Sequence, residues 1–140
     1  MPGAREYVDW IRSRAQFIIM SDTFYQFADP LMEKLGRPTL FCNSLETDAD
    51  DMIVGYHLRQ ADGKKHAVAA LNSIGFRVIS VGDSYNDTAM LALGEPGILF
   101  RPPENIVSEF PQFPVMHEYD KLKAFIEDQL SGRTEKDTTT

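Results

Sequence analysis

Short apolar runs alternate with amphipathic stretches along most of the chain, and this alternation predicts an α/β fold. Residues 17–20 and 76–81 are brief and mostly apolar, as strands of a parallel sheet are when both faces are covered. Apolar residues at helical spacing fill the intervening stretches. The predicted helices cover residues 5–13, 24–35, 64–74, 87–93, 103–109 and 118–130. Strands separated by helices in this way are typical of a mostly parallel sheet.

The alternation of strands and helices breaks between residues 43 and 60. Ile53, Val54, Tyr56 and Leu58 have the pattern of a strand and follow the polar turn at residues 47–51. We therefore expect a β-hairpin inserted after a strand at residues 39–42. Further strands are predicted at residues 97–100 and 115–117, the latter at an edge.

Two of the predicted helices carry an apolar face that we expect to point into the core. The predicted inward residues are Phe24, Phe27, Leu31 and Leu35 in one helix, and Val68, Leu71 and Ile74 in the other. Residues 131–140 contain no apolar side chain, which predicts a disordered tail after one domain at residues 1–130.

Composition limits the classes of function. With 140 residues, 43% of them hydrophobic, the chain can bury a globular core, and its net charge of −7 argues against a nucleic-acid partner. The single cysteine, Cys42, excludes an intrachain disulfide, and the first residues lack the apolar stretch of a secretion signal. No apolar run approaches the roughly 20 residues that cross a bilayer. A cytoplasmic protein without a membrane span is the expectation.

The candidate chemistry centres on the hexapeptide Gly82-Asp83-Ser84-Tyr85-Asn86-Asp87, which follows the predicted strand at residues 76–81. Carboxylates at the carboxyl end of a buried strand suit a hard ion such as Mg2+. Ser21 is predicted at the tip of an earlier strand and Lys64 at a helix start. A hydroxyl, a lysine and metal-binding acids together are what phosphoryl transfer requires.

Each of these residues also has an ordinary structural explanation. A serine before a helix is most often an N-cap, and Lys64 and Lys65 read as solvated charges at a helix start. Asp83 reads as a turn residue and Asp87 as an acid at a helix N-terminus. Glycine followed by two such acids is harder to explain by turns alone, so the site hypothesis is favoured for the hexapeptide.

The stretches VISVGDSYND and IIMSDTF, with a lysine between them, resemble the haloacid dehalogenase-like phosphatases. Within that family, the chain most resembles the bifunctional phosphoserine phosphatase/homoserine phosphotransferases. The stretches that carry this narrower resemblance are YVDWIRSR, GYHLRQADGK, GILF and PENIVSEFPQFP. The resemblance covers nearly the whole chain except the tail. It implies a Rossmann-like, doubly wound, mostly parallel sheet and a Mg2+-dependent phosphomonoester hydrolase of L-serine biosynthesis, whose substrate is a small phosphorylated amino acid.

The resemblance also implies roles for individual residues. Ser21 and Asp22 would contact phosphate and substrate, and Lys64 would neutralise phosphate charge, with Lys65 the weaker lysine candidate. In the other motif, Asp83 would ligate Mg2+, Asn86 would lie near the substrate, and Asp87 would support the metal through water or from a second shell.

The chain departs from the family at the nucleophile, which is the first aspartate of a D-x-D motif at the tip of a central first strand. The D-x-D of Asp48-Ala49-Asp50 follows polar residues, so we predict a solvated turn for it. The central strand and the helical cap are thus expected to be missing. The open gap in the sheet would then favour poor solubility, aggregation or dimerisation.

Two functional hypotheses follow from this departure. In the first, the chain is a fragment of a phosphoserine phosphatase and is inactive alone. In the second, it is a non-catalytic pseudo-phosphatase module that binds an anion or a protein partner. A response-regulator-like receiver domain is a weaker third hypothesis, because GDSYND lies too late in the chain to be the acidic pair of such a domain.

Overall fold

The computed structural model describes residues 2–137, with side chains up to residue 132. The helices are α1 (Ala4–Arg12), α2 (Tyr25–Lys34), α3 (Gly63–Ser73), α4 (Thr88–Leu93), α5 (Glu104–Glu109) and α6 (Tyr119–Asp137). The strands are β1 (Ile18–Phe24), β2 (Thr39–Thr47), β3 (Ile53–His57), β4 (Ser80–Gly82), β5 (Gly97–Phe100) and β6 (Val115–Met116). The chain divides into two compact units at residues 66 and 67, and each unit is described by itself.

The first unit contains a three-stranded sheet in the order β1-β2-β3. β1 and β2 are parallel, whereas β2 and β3 form an antiparallel hairpin in which Leu45 lies opposite Tyr56 and Glu46 opposite Gly55. The predicted hairpin insertion is therefore confirmed. The predicted turn for the D-x-D is confirmed as well, because the Asp48 carboxylate accepts hydrogen bonds from the backbone N–H groups of Asp50 and Met52 at 2.9 and 3.0 Å.

The second unit contains a parallel sheet in the order β4-β5-β6. β5 is the central strand, and its first three residues are buried, with Ile98 and Leu99 at 0% exposure. A Cβ on Gly97 would overlap the carbonyl oxygen of Leu91, so the close approach of α4 to β5 requires glycine there. The pairing of β1 with β2, of β4 with β5 and of β5 with β6 confirms the predicted α/β class with mostly parallel strands.

Each unit has its own apolar core. The core of the first unit is formed by Val8, Ile11, Ala28, Met32 and Cys42. The larger core of the second unit is formed by Val68, Met90, Leu91, Ile98, Leu99, Ile106, Phe113, Leu122 and Ile126.

Arg77 ties the carboxyl-terminal helix to the segment that precedes β4. Its guanidinium donates to the carbonyl of Glu95 at 3.0 Å and to the backbone and side-chain oxygens of Gln129 at 3.0 and 2.9 Å. A planar guanidinium can satisfy several oxygens at once, which suits it to this position. Residues 77 and 129 are 52 positions apart in the chain.

The buried faces of α2 and α3 differ from those that the sequence predicts. On α2, Ala28 and Met32 are buried, while Phe27 and Leu31 are 62% and 57% exposed. On α3, Val68 is buried as predicted, but Ile74 lies just beyond the end of the helix and is 71% exposed. Both helices carry more apolar residues than one face holds, so periodicity alone does not decide which stripe meets the core.

Several strand and helix boundaries also differ from the predictions. β1 runs on to Phe24, so Ser21 lies inside the strand rather than at its tip, and the following helix begins only at Tyr25. β4 has three residues rather than the predicted six, since residues 76–79 are not in a strand.

The last helix, α6, is longer than predicted. It continues past Leu130 to Asp137, so the segment predicted as a tail is helical to that point. Residues 138–140 lie outside the described residues, and the disorder expected for residues 131–140 stays a prediction, as does the single domain over residues 1–130. None of the helices in the described part of the chain is both long and apolar enough for a transmembrane segment.

Cys42 provides a test of the first unit. Burial raises the pKa of its thiol, with the nearby Arg59 guanidinium acting in the opposite direction, and the side chain is 4% exposed. Because the thiolate is the reactive species, we expect the native protein to react with an aromatic disulfide reagent at least about tenfold more slowly than the urea-unfolded protein. Equal rates in the two states would contradict the burial of Cys42.

Candidate functional site

In the first unit, Ser21 and Asp22 lie in an irregular stretch of β1. Regular pairing with β2 ends at Met20, which lies opposite Phe41, and the next pair is Phe24 with Asn43. β1 therefore carries extra residues over this stretch. The Ser21 hydroxyl accepts a hydrogen bond from the backbone N–H of Thr23 at 3.3 Å, so it shapes this bend locally instead of capping a helix.

Lys64 lies in the first turn of α3 and reaches the Asp22 carboxylate. The Lys64 Nζ atom and the Asp22 Oδ2 atom are 3.6 Å apart. The Lys64 side chain is only 17% exposed, whereas the Asp22 side chain is 65% exposed. Lys65 is exposed. The structure thus brings Lys64, rather than its neighbour, to the predicted phosphate-binding residues.

Asn43 holds this group together and was not among the predicted residues. Its side-chain amide donates to the carbonyl oxygen of Asp22 at 3.2 Å, and its Oδ1 atom accepts from the backbone N–H of Arg59 at 3.0 Å. Asn43 is the first polar residue after the apolar run at residues 40–42, as Ser21 is after its own run. That shared position is the sequence signal that would have identified it.

In the second unit, Asp87 organises the hexapeptide loop between β4 and α4. Its side chain is 5% exposed. The Oδ2 atom accepts hydrogen bonds from the backbone N–H of Asp83 at 3.0 Å, and from the N–H and hydroxyl of Ser84, both at 3.2 Å. This is a capping box at the start of the short 3-10 helix Tyr85–Asp87. The carboxylate is directed at its own loop, in keeping with a supporting role.

Gly82 is required by this arrangement. A Cβ at residue 82 would lie 2.5 Å from the Cβ atom of Asp87, well inside van der Waals contact. A larger residue would push Asp87 away from the N–H groups that it accepts from. The pairing of a glycine with the second acid of the motif therefore has a steric cause.

Asp83 and Asn86 are exposed on the outer side of the same loop. No hydrogen-bond or ion-pair partner is recorded for the Asp83 carboxylate among residues 2–132. Over that range no group of three or more His, Cys, Asp or Glu side chains could hold a metal ion by itself. Mg2+ commonly uses one or two carboxylates together with water and substrate phosphate, so an open Asp83 carboxylate fits the ion.

Tyr85 anchors the loop to α5. Its hydroxyl donates to the Glu109 carboxylate at 2.7 Å and accepts from the Asn105 amide at 3.2 Å, and its ring makes an edge contact with Phe110. The hydrogen bond to Glu109 raises the pKa of Tyr85 above its ordinary value, while the bond from Asn105 acts against this.

The chain matches the family model of the haloacid dehalogenase-like hydrolases over residues 1–94. It is 56% identical over 123 residues to phosphoserine phosphatase ThrH of Pseudomonas aeruginosa, which covers 88% of this chain and 60% of that protein. It is 54% identical over 123 residues to a phosphoserine phosphatase of Pseudomonas syringae pv. tomato, which covers 88% of this chain and 52% of that protein. The chain thus spans between half and two thirds of these relatives.

Solved structures show the same fold at lower sequence identity. A substrate-bound phosphoserine phosphatase complex superimposes with a TM-score of 0.70 at 20% identity, over 88% of this chain and 62% of that one. A probable phosphoserine phosphatase from Vibrio cholerae gives a TM-score of 0.65 at 22% identity, over 78% of this chain and 36% of that one.

The substitutions Asp83→Asn and Asp87→Asn test whether the capping acid Asp87 stabilises the fold more than the exposed acid Asp83 does. Asp87→Asn should lower the free energy of unfolding by about 1–2 kcal/mol, because the amide loses the charge and cannot accept all three hydrogen bonds equally well. Asp83→Asn should change it by less than about 0.5 kcal/mol, because that carboxylate is exposed. Urea unfolding followed by circular dichroism measures both. Equal losses for the two variants would rule out the capping role.

The Tyr85 hydroxyl should titrate at higher pH than an ordinary tyrosine, whose pKa is about 10. The protonated phenol donates to Glu109, so its contribution to stability is complete below the unfolded pKa and is lost as pH rises through the higher folded pKa. The pH titration is followed by the ultraviolet absorbance of the phenolate. Subtracting the titration curve of Tyr85→Phe from that of the wild type leaves the transition of Tyr85 alone. A difference transition at or below the ordinary value would refute the bond.

Proposed function

Because the chain belongs to the haloacid dehalogenase-like hydrolase family, we propose that it supplies the anion-binding and metal-binding residues of a Mg2+-dependent phosphoserine phosphatase. The observation that carries the proposal is the 56% identity to a phosphoserine phosphatase over 88% of the chain. The chemistry of the two groups of residues supports the proposal. The group around β1 contains the largely buried cation of Lys64, and the hexapeptide loop contains the exposed carboxylate of Asp83.

In this proposal, Lys64 and Ser21 bind the phosphate group of the substrate. The low exposure of Lys64 strengthens its attraction for an anion, because less water screens the charge. Asp22 repels phosphate, and its exposed carboxylate is suited instead to the ammonium group of a phosphorylated amino acid. Lys64 therefore exchanges a carboxylate partner for a phosphate partner when substrate binds.

Asp83 is the proposed Mg2+ ligand, and Asp87 holds the loop that presents it. When bound, the ion would neutralise charge on the phosphate oxygens. Asn86 is exposed on the same loop and is proposed to lie near the substrate. Asp87 acts on the metal indirectly, through the backbone position of Asp83 or through water, because its Oδ2 atom already accepts three hydrogen bonds.

Hydrolysis and phosphotransfer to homoserine both need a nucleophile held rigidly near phosphorus. The D-x-D at residues 48–50 is unsuited to this role, because Asp48 is exposed and its Oδ1 atom closes the hairpin turn. We therefore propose that the 140-residue chain binds substrate but does not turn it over alone. Water and the homoserine hydroxyl would compete for the same phosphorylated group in a longer, active protein.

The test is a phosphate-release assay on phosphoserine with Mg2+, run on the 140-residue chain and on a protein extended upstream of Met1. We expect release only from the extended protein. In that protein, Asp83→Asn should lower kcat/KM by at least about 100-fold, because charge stabilisation at phosphorus is a large term in catalysis. The exposed acid Asp128 on α6 offers a matched control, since Asp128→Asn should leave the rate unchanged.

Other outcomes would assign the chain differently. Turnover by the 140-residue chain would show that it contains its own nucleophile. Absence of release from any extended protein, together with phosphoserine binding by the chain, would favour the non-catalytic pseudo-phosphatase module. A near-normal rate in Asp83→Asn would remove that residue from the metal site.

A further inference from the structure

Arg59 is a cation of the first unit to which the proposed function gives no role. It lies in the loop between β3 and α3 and is exposed. Within residues 2–132, its guanidinium has no carboxylate or carbonyl partner and stacks on the ring of Phe41, with the Cζ atom 4.4 Å from the ring centroid. A stacked guanidinium keeps its N–H edge open to an anion.

Two contacts with β2 hold Arg59 in place. Its backbone N–H donates to the Oδ1 atom of Asn43 at 3.0 Å, and its guanidinium covers Phe41. Phe41 and Asn43 are two positions apart on β2, so their side chains lie on the same face of the strand. Arg59 is thus held at both its backbone and its charged end, which reduces the entropy that it loses when a ligand binds.

The contacts of Asn43 continue from Arg59 to the proposed phosphate-binding residues. The side-chain amide of Asn43 donates to the carbonyl oxygen of Asp22 at 3.2 Å. The Asp22 carboxylate in turn lies 3.6 Å from the Nζ atom of Lys64. Along this series of contacts the charges alternate as cation, anion and cation. A phosphorylated amino acid such as phosphoserine carries the complementary set, which is phosphate, ammonium and carboxylate.

We propose that Arg59 binds the carboxylate of the substrate and thereby selects a phosphorylated amino acid over a phosphorylated amine. The inference rests on the proposed function, in which Lys64 binds the phosphate and Asp22 the ammonium group. A planar guanidinium presents two parallel N–H donors, which match the two oxygens of a carboxylate. The net charge of −7 disfavours anions at long range, so a preference for the more anionic ligand requires a local cation of this kind.

The test compares L-phosphoserine with O-phosphoethanolamine, which has the same phosphate and ammonium groups but lacks the carboxylate. Dissociation constants are measured for the 140-residue chain in Mg2+ by titrations that follow amide chemical shifts. We expect phosphoserine to bind about tenfold more tightly than phosphoethanolamine, which is the effect of one charge-assisted pair. Arg59→Met should weaken phosphoserine binding about tenfold and leave phosphoethanolamine binding unchanged.

Two further variants control for charge and for the shape of the donor. Arg14 also stacks on an aromatic ring of the first unit, that of Trp10, with its Cζ atom 4.8 Å from the centroid. Arg14→Met makes the same change in net charge as Arg59→Met and should leave both dissociation constants unchanged. Arg59→Lys keeps the charge but loses the parallel donors, so it should retain an intermediate preference of about threefold. Circular dichroism verifies that each variant is folded.

The outcomes separate this inference from the proposed function. Equal weakening of both ligands by Arg59→Met would overturn the inference, because the loss of a purely structural arginine does not depend on the carboxylate. Equal binding of the two ligands by the wild type would overturn it as well, and so would an Arg14→Met variant that behaves like Arg59→Met. These results leave the proposed function standing, since a phosphate-bearing ligand still binds. A chain that binds neither ligand up to about 50 mM would instead overturn the proposed function and the inference with it.

Discussion

The loop that carries the candidate metal ligand depends on one carboxylate, that of Asp87. Its Oδ2 atom collects the N–H groups of Asp83 and Ser84, and it can do so only because Gly82 leaves room for its Cβ atom. The backbone at Asp83 is thereby fixed while its side chain stays exposed. The buried Asp87 thus orders the loop, whereas the exposed Asp83 carboxylate is left open to bind a ligand.

The parts of this picture that could be predicted from sequence are those where local chemistry decides the outcome. The polar turn at residues 47–51 between two apolar runs predicts the hairpin, because few other structures use such a pattern. The position of Asp87 likewise predicts an acid at a helix N-terminus, and the structure has it in a capping box there. Both features are governed by short-range sterics and hydrogen bonds that a sequence displays directly.

The parts that could not be predicted depend on packing against distant residues. Phe27 and Leu31 look like a core face of α2, yet Ala28 and Met32 are the buried residues of this helix, which packs against β1 and β2. Ser21 looks like a strand end, but β1 continues past it through an irregular stretch whose form depends on β2. Asn43 matters through its bonds to Asp22 and Arg59, neither of which is adjacent in sequence.

The bridge from Arg77 to Gln129 bears on how the second unit folds. It joins residues that are 52 positions apart in the chain. Closing so long a loop lowers the entropy of the chain before the hydrogen bonds of Arg77 can stabilise the unit. Local elements such as the hexapeptide loop carry no such cost. During synthesis, the native packing of this unit therefore cannot be completed until α6 has left the ribosome.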